Sequence, residues 1–149
     1  MIGRCVRYFS SKPFKVLGVQ QVALGNLDKS ILNKFWGDTL GIPKIGNYRS
    51  EKENVDEDIL QIGEGENAVE IDLMQPIDPE KSPKVHKLAL NHIGLWIDDL
   101  KSCVDYLEQN GVVMAPGGIR PGAAGHNVAF VHPKSTGGIL LELVQHPNK

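Results

Sequence analysis

Four polar side chains occupy matching places in the two halves of the chain. Gln21 lies in the first apolar stretch, and Asp72 lies inside the stretch Val-Glu-Ile-Asp-Leu-Met; His92 and Glu142 take the corresponding places further on. A carboxylate inside an apolar strand costs several kcal/mol unless it is paired or binds a cation. An amide oxygen, an imidazole nitrogen and two carboxylates suit divalent zinc, cobalt, nickel or manganese. The quartet therefore predicts one metal site, with positions left open for water or a substrate oxygen.

The elements that would position these ligands are also repeated. Each half reads as strand, helix and then three strands, so we predict an α+β fold in which two tandem βαβββ modules form a curved mixed sheet around the metal site. The modules cover residues 16–75 and 88–146, and a proline- and lysine-bearing stretch joins them. Together they form one predicted domain over residues 15–146.

Period-2 patterns and turn residues place eight strands. The predicted strands cover residues 16–24, 45–49, 57–62 and 68–74 in the first module, and 89–97, 112–115, 127–131 and 139–144 in the second. A strongly acidic loop over residues 51–58 precedes the third strand, and a glycine-rich loop follows from Pro116 to Gly125. The second and third strands of each module have the weakest patterns.

Two helices are predicted from apolar spacing near 3.6 residues. The first begins at the N-cap Asp28 and ends at Gly41, which can supply a left-handed C-terminal cap. Its apolar face consists of Ile31, Leu32, Phe35, Trp36 and Leu40. The second helix is capped by Asp98 or Asp99, and its apolar side includes Cys103, for which we expect a core-packing role.

Composition excludes several classes of protein. The chain has 149 residues, 41% hydrophobic and 23% charged, as in soluble globular proteins that bury a single core. The net charge is −2, so neither nucleic acid nor a membrane is expected as a partner. No apolar run approaches the roughly 20 residues that span a bilayer. Cys5 and Cys103 form neither a disulfide framework nor a zinc pattern.

The first residues differ in kind from the rest. They contain Arg4, Arg7 and Lys12 and paired serines, with no acidic residue before Asp28. This pattern predicts a mitochondrial transit peptide or flexible leader over residues 1–14, cleaved after Phe9, and a location in the mitochondrial matrix. The alternative is a disordered basic tail.

The layout resembles the vicinal oxygen chelate superfamily, the glyoxalase and bleomycin-resistance fold, over about residues 16–146. Within it, the C-terminal part looks most like the methylmalonyl-CoA epimerase family. The similar segments are Gly-Ala-Ala-Gly-His at 122–126, Val-Ala-Phe-Val-His-Pro-Lys at 128–134 and Gly-Gly-Ile-Leu-Leu-Glu-Leu at 137–143. The resemblance implies a metal-dependent isomerase that interconverts 2R and 2S epimers through a metal-stabilised enolate, and it also implies a homodimer.

The resemblance further implies roles for individual carboxylates. Glu142 would be both a metal ligand and the base that moves a proton next to a carbonyl. Asp72, from the other module, is the candidate for the acid that returns the proton on the opposite side, and Glu53 in the acidic loop is a second candidate.

Two ligand positions depart from the epimerase pattern. Gln21 stands where epimerases usually have histidine, and Asp72 stands where the family has a longer acidic or amide side chain. A quartet of Gln, acid, His and Glu is similar to that of lactoylglutathione lyase, glyoxalase I, which isomerises a glutathione hemithioacetal. That activity is the alternative, and a non-catalytic binding protein of the same fold is a further one.

Two cations near the glycine-rich loop are candidates for substrate binding. Arg120 and Lys134 could contact the phosphates of a cofactor thioester; the alternative is that both are solvated surface charges. His126 and His132 are expected to structure loops. The expected partner is therefore a small thioester or thiohemiacetal.

Overall fold

Residues 11–149 are described by the computed structural model, and the predicted cleavage point after Phe9 lies outside them. The described strands form one mixed sheet. Its strands are β1 (Val16–Gly25), β2 (Lys44–Ser50), β3 (Val55–Ile62), β4 (Val69–Gln75), β5 (Leu90–Ile97), β6 (Arg120–Pro121), β7 (Asn127–Val131) and β8 (Leu141–Gln145). They are arranged in the order β2-β3-β4-β1-β5-β8-β7-β6. The predicted α+β class, with one curled sheet made from two modules, is confirmed.

The two modules meet at their first strands. β1 pairs antiparallel with β5, whereas inside each module the first strand pairs parallel with the last, β1 with β4 and β5 with β8. This arrangement brings the first and last strands of both modules to the middle of the sheet. The four strands that carry the predicted ligands are therefore adjacent.

The first helical segment is only partly α-helical, because a short α-helix is continued by a wider π-helix that the sequence pattern does not predict. Helix α1 covers Lys29–Asn33, and a π-helix covers Lys34–Thr39. The Asp28 side chain caps α1 by accepting from the Ser30 N–H at 2.9 Å. Because the i→i+5 turn is wider than an α-turn, it changes which residues share a face. Consequently only part of the predicted apolar face packs inward: Leu32 and Trp36 reach the core, while Ile31, Phe35 and Leu40 are exposed.

The second helix agrees with its sequence pattern. Helix α2 covers Leu100–Gln109, and of the two candidate caps Asp99 is the one that accepts from the Ser102 N–H, at 2.9 Å. Cys103 is 1% exposed, which confirms its packing role. Burial also raises the pKa of its thiol to about 11, so the thiol stays protonated at neutral pH.

Both helices pack on the same side of the sheet, and the other side is left for the site. Side chains alternate across a strand. Leu60, Ile71 and Leu73 face Leu32 and Trp36 of the first helical segment. A second cluster packs against α2 and consists of Ile97, Leu100, Cys103, Val104, Ala129, Val131 and Leu143. The intervening residues face the concave side, which no helix of the described chain covers.

One predicted strand is wrong. Residues 112–115 form only a single bridge, between Met114 and Val131, and the short strand β6 forms instead inside the predicted glycine-rich loop. Gly117 and Gly118 have positive φ angles of 113° and 57°, so the chain turns between these two segments. The turn returns the chain to β7 at Arg120, where it pairs with Val128.

The segment between the modules is hydrogen-bonded to the first module through Asn54. Asn54, buried and at φ 49°, donates from its amide to the carbonyl oxygens of Asp78 and Lys81 at 2.9 and 3.0 Å. Its Oδ1 accepts from the Asp78 N–H at 2.9 Å. The segment then crosses the end of β1 at Gly25, where a Cβ would overlap the carbonyl oxygen of Val85.

Across residues 11–149, none of the helices combines the length and the apolar composition that crossing a membrane requires.

Candidate active site

Three of the four predicted ligands converge on a cavity of about 300 Å³ on the concave side. His92 Nε2 lies 3.3 Å from Glu142 Oε2. The Gln21 amide nitrogen Nε2 lies 2.6 Å from His92 Nε2 and also donates a hydrogen bond to Glu142 Oε2. All three side chains are buried. Residues from β1, β5 and β8, up to 121 positions apart in sequence, thus meet at one point.

The pairing of the central strands explains this convergence. Directly paired residues of neighbouring strands point to the same face of a sheet. The four predicted ligands occupy two such rows, each with a small residue at its centre. The rows are Asp72–Ala23–His92 and Gln21–Gly94–Glu142. The duplication therefore places equivalent ligands at equivalent points around the site.

Asp72 lines the same cavity but has no contact of its own with the other three. It is 4% exposed, and its Oδ1 has no hydrogen-bond partner among the described residues. Burial raises the pKa of Asp72 to about 8, and the charges of Glu57 and Glu70 add to this effect. Direct ligation of a metal by Asp72 stays a prediction.

The donor set fits a divalent cation. Among residues 11–149, no three histidine, cysteine or carboxylate side chains are grouped closely enough to form a metal cluster by themselves. Gln21 presents its amide nitrogen to His92 and Glu142, so the amide group would have to turn over for its oxygen to serve as a third donor. Two donors each about 2.1 Å from one ion are separated by roughly 3.0–3.4 Å, and His92 Nε2 and Glu142 Oε2 are 3.3 Å apart. His92 Nδ1 hydrogen-bonds to Asn91 Oδ1 at 2.8 Å, which leaves the Nε2 lone pair directed at the cavity. The unpaired Asp72 oxygen is a further group that a cation would satisfy.

Glu57 is a buried acid of the cavity that the sequence prediction missed. It is 5% exposed and lines the same space. Burial, together with the charge of Glu142, raises the pKa of Glu57 to about 7. The sequence predicts an acidic loop over residues 51–58 and a strand from residue 57, but β3 begins at Val55. Strand alternation from Val55 would have placed Glu57 and Ile59 on the same face, and this signal could have identified it.

A bulge in β1 brings two consecutive glutamines to the cavity. The register with β5 shifts between Val19 and Gln21, so Gln20 and Gln21 both line it. Gln20 Nε2 donates to Glu70 Oε2 at 2.9 Å. Strict alternation allows only one of the two glutamines to face the site, and the bulge removes that constraint.

Of the two predicted substrate-binding cations, only Arg120 borders the cavity. Its guanidinium lies 5.1 Å from the centre of the Phe130 ring. Lys134 is exposed on a 3-10 turn and is not among the residues that line the cavity. Glu53 lines the cavity and is half-buried.

The two loop histidines take different positions. His126 borders the cavity and packs edge-on against Trp96, with ring centres 5.2 Å apart. His132 lies outside it, and its Nδ1 accepts from the Lys134 N–H at 3.1 Å. Both contacts hold loops in place, as predicted, and His126 also contributes to the cavity wall.

The raised pKa of Asp72 predicts a pH-dependent stability. An unfolded aspartate has a pKa of about 3.9, whereas burial raises the folded value to about 8. The folded chain keeps a proton that the unfolded chain has lost, so this stabilisation is complete below pH of about 4 and is lost as the pH rises toward 8. We expect the melting temperature of the metal-free protein to be lower at pH 8 than at pH 6, by on the order of 5 °C. In Asp72→Asn, thermal denaturation at constant ionic strength should give a flatter profile; an equally steep one would contradict the assignment.

Comparison with known proteins agrees with this geometry. The uncharacterized protein YqjC of Bacillus subtilis (strain 168) is 27% identical over 117 residues, covering 74% of this chain and 79% of that protein. The methylmalonyl-CoA epimerase of Mycobacterium tuberculosis is 25% identical with a TM-score of 0.75, covering 87% of this chain and 88% of that chain. A Streptomyces coelicolor methylmalonyl-CoA epimerase variant in complex with 2-nitronate-propionyl-CoA is 22% identical with a TM-score of 0.79, covering 89% and 99%; this likeness shows the fold alone.

A family model covers most of the sheet and the site. The model of the Glyoxalase/Bleomycin resistance protein/Dioxygenase superfamily matches residues 20–130. The match includes both first strands, β4 and the three cavity residues Gln21, Asp72 and His92. The chain belongs to the Glyoxalase/Bleomycin resistance protein/Dioxygenase superfamily.

Proposed function

We propose that this chain is a metal-dependent epimerase that moves a proton on the carbon next to the carbonyl of an acyl-CoA thioester, as methylmalonyl-CoA epimerases do. The observation that carries the proposal is the presence of buried carboxyl groups from both modules in one cavity. Glu57 from β3 and Asp72 from β4 belong to the first module and Glu142 from β8 to the second, and each is at most 6% exposed. The likeness to the methylmalonyl-CoA epimerase of Mycobacterium tuberculosis supports the choice of substrate class.

Epimerisation at carbon needs two proton-transfer groups. A proton is removed from one face of a planar enolate and returned to the other, so a single base would only restore the starting epimer. In this proposal Glu142 removes the proton from one epimer and Glu57 supplies one from the opposite side; the roles reverse for the other epimer. Glu57 takes the place of Asp72, the acid expected from the sequence, because Asp72 is proposed here as a fourth group toward the metal. A group whose pKa lies near the working pH both accepts and donates protons readily, and Glu57 has a pKa of about 7.

The two carboxyl groups are coupled electrostatically. The negative charge of Glu142 contributes to the raised pKa of Glu57 and so favours the protonated form of Glu57. A protonated carboxyl in this position is suited to donate a proton to the substrate.

Gln21, His92 and Glu142 would hold the divalent cation, with Asp72 as a fourth group. When bound, such an ion acts as a Lewis acid that polarises a carbonyl oxygen. The chain's own contribution is to orient the donors, through the hydrogen bond from His92 to Asn91, and to keep the centre of the cavity away from bulk water.

The cavity walls suit a small acyl group attached to a charged carrier. On one side lie the apolar residues Val55, Met74 and Val85, which are 3–7% exposed and can pack against a short alkyl substituent. On another side lies Arg120, which can contact an anionic group of the substrate.

The test is a proton-exchange assay on the full chain. The purified protein is stripped of metal, reloaded with cobalt, manganese, zinc or nickel, and incubated in D2O with a single epimer of methylmalonyl-CoA. We expect deuterium to enter at the α-carbon together with formation of the other epimer, and only after metal is restored. Absence of both deuterium uptake and epimer formation with every metal would overturn the proposal.

The contact of the Gln21 side chain with His92 and Glu142 favours a second candidate function. A glutamine in the quartet is the feature similar to lactoylglutathione lyase, and here its amide group does meet His92 and Glu142. The same metal-loaded samples are therefore assayed with the hemithioacetal of methylglyoxal and glutathione. Turnover of that substrate, without epimerisation of methylmalonyl-CoA, would replace the first proposal with the second.

A homodimer and a location in the mitochondrial matrix complete the proposal. Both come from the sequence, the first from the resemblance and the second from the leader. Sedimentation of the purified protein and import of the full chain into isolated mitochondria test them separately.

A further inference from the structure

Gly94 lies directly beneath the side chain of Gln21. It occupies the centre of the second ligand row, between Gln21 on β1 and Glu142 on β8. A Cβ at Gly94 would lie 2.8 Å from Gln21 Cγ and 3.0 Å from Gln20 Oε1. Both distances are shorter than ordinary van der Waals contacts between such atoms. The Gln21 side chain therefore passes through space that any other residue at position 94 would occupy.

The path of Gln21 explains why this space matters. Its backbone lies on β1, yet its amide group contacts Glu142 on β8, two strands away. To reach that point the side chain must cross β5, and it crosses at Gly94. A methyl group there would push Cγ outward, and the amide group, two bonds further along, would move away from His92 and Glu142.

In the first ligand row, the central residue is alanine and the ligand on the neighbouring strand β5 is histidine. Ala23 occupies the equivalent centre, between Asp72 and His92, and its methyl group is fully buried beside them. An alanine thus fits beside a histidine ligand, whereas a glycine stands beside the glutamine. The two modules differ in both members of this pair.

We propose that Gly94 is a positioning residue that allows Gln21 to serve as a metal ligand, and that the central residue of each row selects the side chain that can serve. Alanine accommodates histidine, and glycine accommodates glutamine. The inference rests on the proposed metal-dependent function, because it treats Gln21 as a ligand. It assigns a role to Gly94, a residue that would contact neither the substrate nor the metal.

The test compares Gly94→Ala with the full-length wild type by titration with cobalt. We expect the affinity for cobalt to fall by about 10- to 100-fold, as when a group that orients a ligand is changed. The matched control is Gly18→Ala, a glycine on β1 whose added Cβ meets nothing within 4 Å. It should leave the affinity within about threefold of wild type, since effects of substitutions away from such contacts are small.

Two further variants separate positioning from a general structural role. In a Gln21→Ala background, Gly94→Ala should cause no additional loss of affinity, because the side chain that it displaces is gone. Gly94→Ala combined with Gln21→His should recover affinity, because it reproduces the pairing of Ala23 with His92. A loss equally large in the Gln21→Ala background, or no recovery with Gln21→His, would overturn the proposal.

A metal-free measurement keeps this inference distinct from the proposed function. The crowding of Gln21 by a methyl group does not require metal, so Gly94→Ala should lower the melting temperature of the metal-free protein by about 2–8 °C. That loss should shrink when Gln21 is alanine. If the wild type binds no cobalt, the proposed function fails, while coupling of the two substitutions in the metal-free protein would still support the role of Gly94. Additive effects there would overturn it.

Discussion

Replacing Glu142 with glutamine should abolish both metal binding and proton transfer. Glu142 is the only carboxylate in contact with the Gln21 and His92 donors among the described residues. An amide of the same shape keeps one oxygen but loses the charge and the basic site. We expect cobalt affinity to fall by about 100-fold or more, because changing a group that only orients a metal ligand already lowers affinity by about 10- to 100-fold. Epimerisation should fall by about 10⁴-fold, the upper range for a lost general base.

The two effects are measured on the same sample, by metal analysis after dialysis and by deuterium uptake at the α-carbon. Glu108→Gln is the control, because Glu108 is an exposed carboxylate on α2, which packs on the side of the sheet away from the cavity. Full activity and retained metal in Glu142→Gln would remove Glu142 from the site. Loss of metal with near-normal proton exchange would contradict the metal dependence of the proposed function.

Replacing Glu57 with glutamine should give a different pattern, in which metal binding survives and epimerisation does not. Glu57 makes no contact with the Gln21, His92 and Glu142 group and acts only as the second proton-transfer residue in the proposal. We expect epimerisation to fall by about 10²- to 10⁴-fold, with cobalt affinity close to wild type. The neutral amide cannot take or return a proton at neutral pH.

Proton exchange distinguishes this role from a structural one. In D2O, Glu57→Gln should still exchange the α-proton of one epimer, because Glu142 can remove a proton and return a deuteron on the same face. The product of that exchange keeps its configuration. Exchange of both epimers, or loss of metal together with activity, would show that Glu57 is not the second base.

The ligand rows could be predicted because two physical regularities act together. Alternation along a strand assigns each side chain to a face, and duplication puts equivalent residues at equivalent pairing positions. The antiparallel pairing of β1 with β5 and the parallel pairing of β5 with β8, which the structure supplies, then bring Gln21, His92 and Glu142 together.

Residues whose positions depend on local irregularity could not be predicted in the same way. Gln20 reaches the cavity through a bulge, which breaks the alternation that the prediction assumes. Glu57 lies in an acidic run that resembles a solvated loop, and only the actual start of β3 shows that it is buried. Phe35 follows an α-helical spacing, but the chain winds as a π-helix there and leaves it exposed.

Lys134 shows a further limit of sequence reasoning. It lies eight residues before Glu142 along the chain, yet the 3-10 turn at Pro133–Ser135 exposes its side chain to solvent. Arg120, which is farther from Glu142 in sequence, reaches the cavity because β6 returns the chain to β7. Position along the chain does not give the direction of a side chain when a turn intervenes.

The segment that joins the modules has a consequence for the shape of the site. Two identical modules that associated without a connection would place a two-fold axis through the centre of the sheet, and the two ends of the cavity would be alike. The single connecting segment removes that equivalence, because its residues Pro83 and Val85 wall one end and Asn54 holds it there. The glycine-rich turn with Ala123 and Ala124 borders the cavity from the other module. Fusion of the repeats therefore makes the two ends of the cavity different, and such a cavity can distinguish the two ends of an asymmetric molecule.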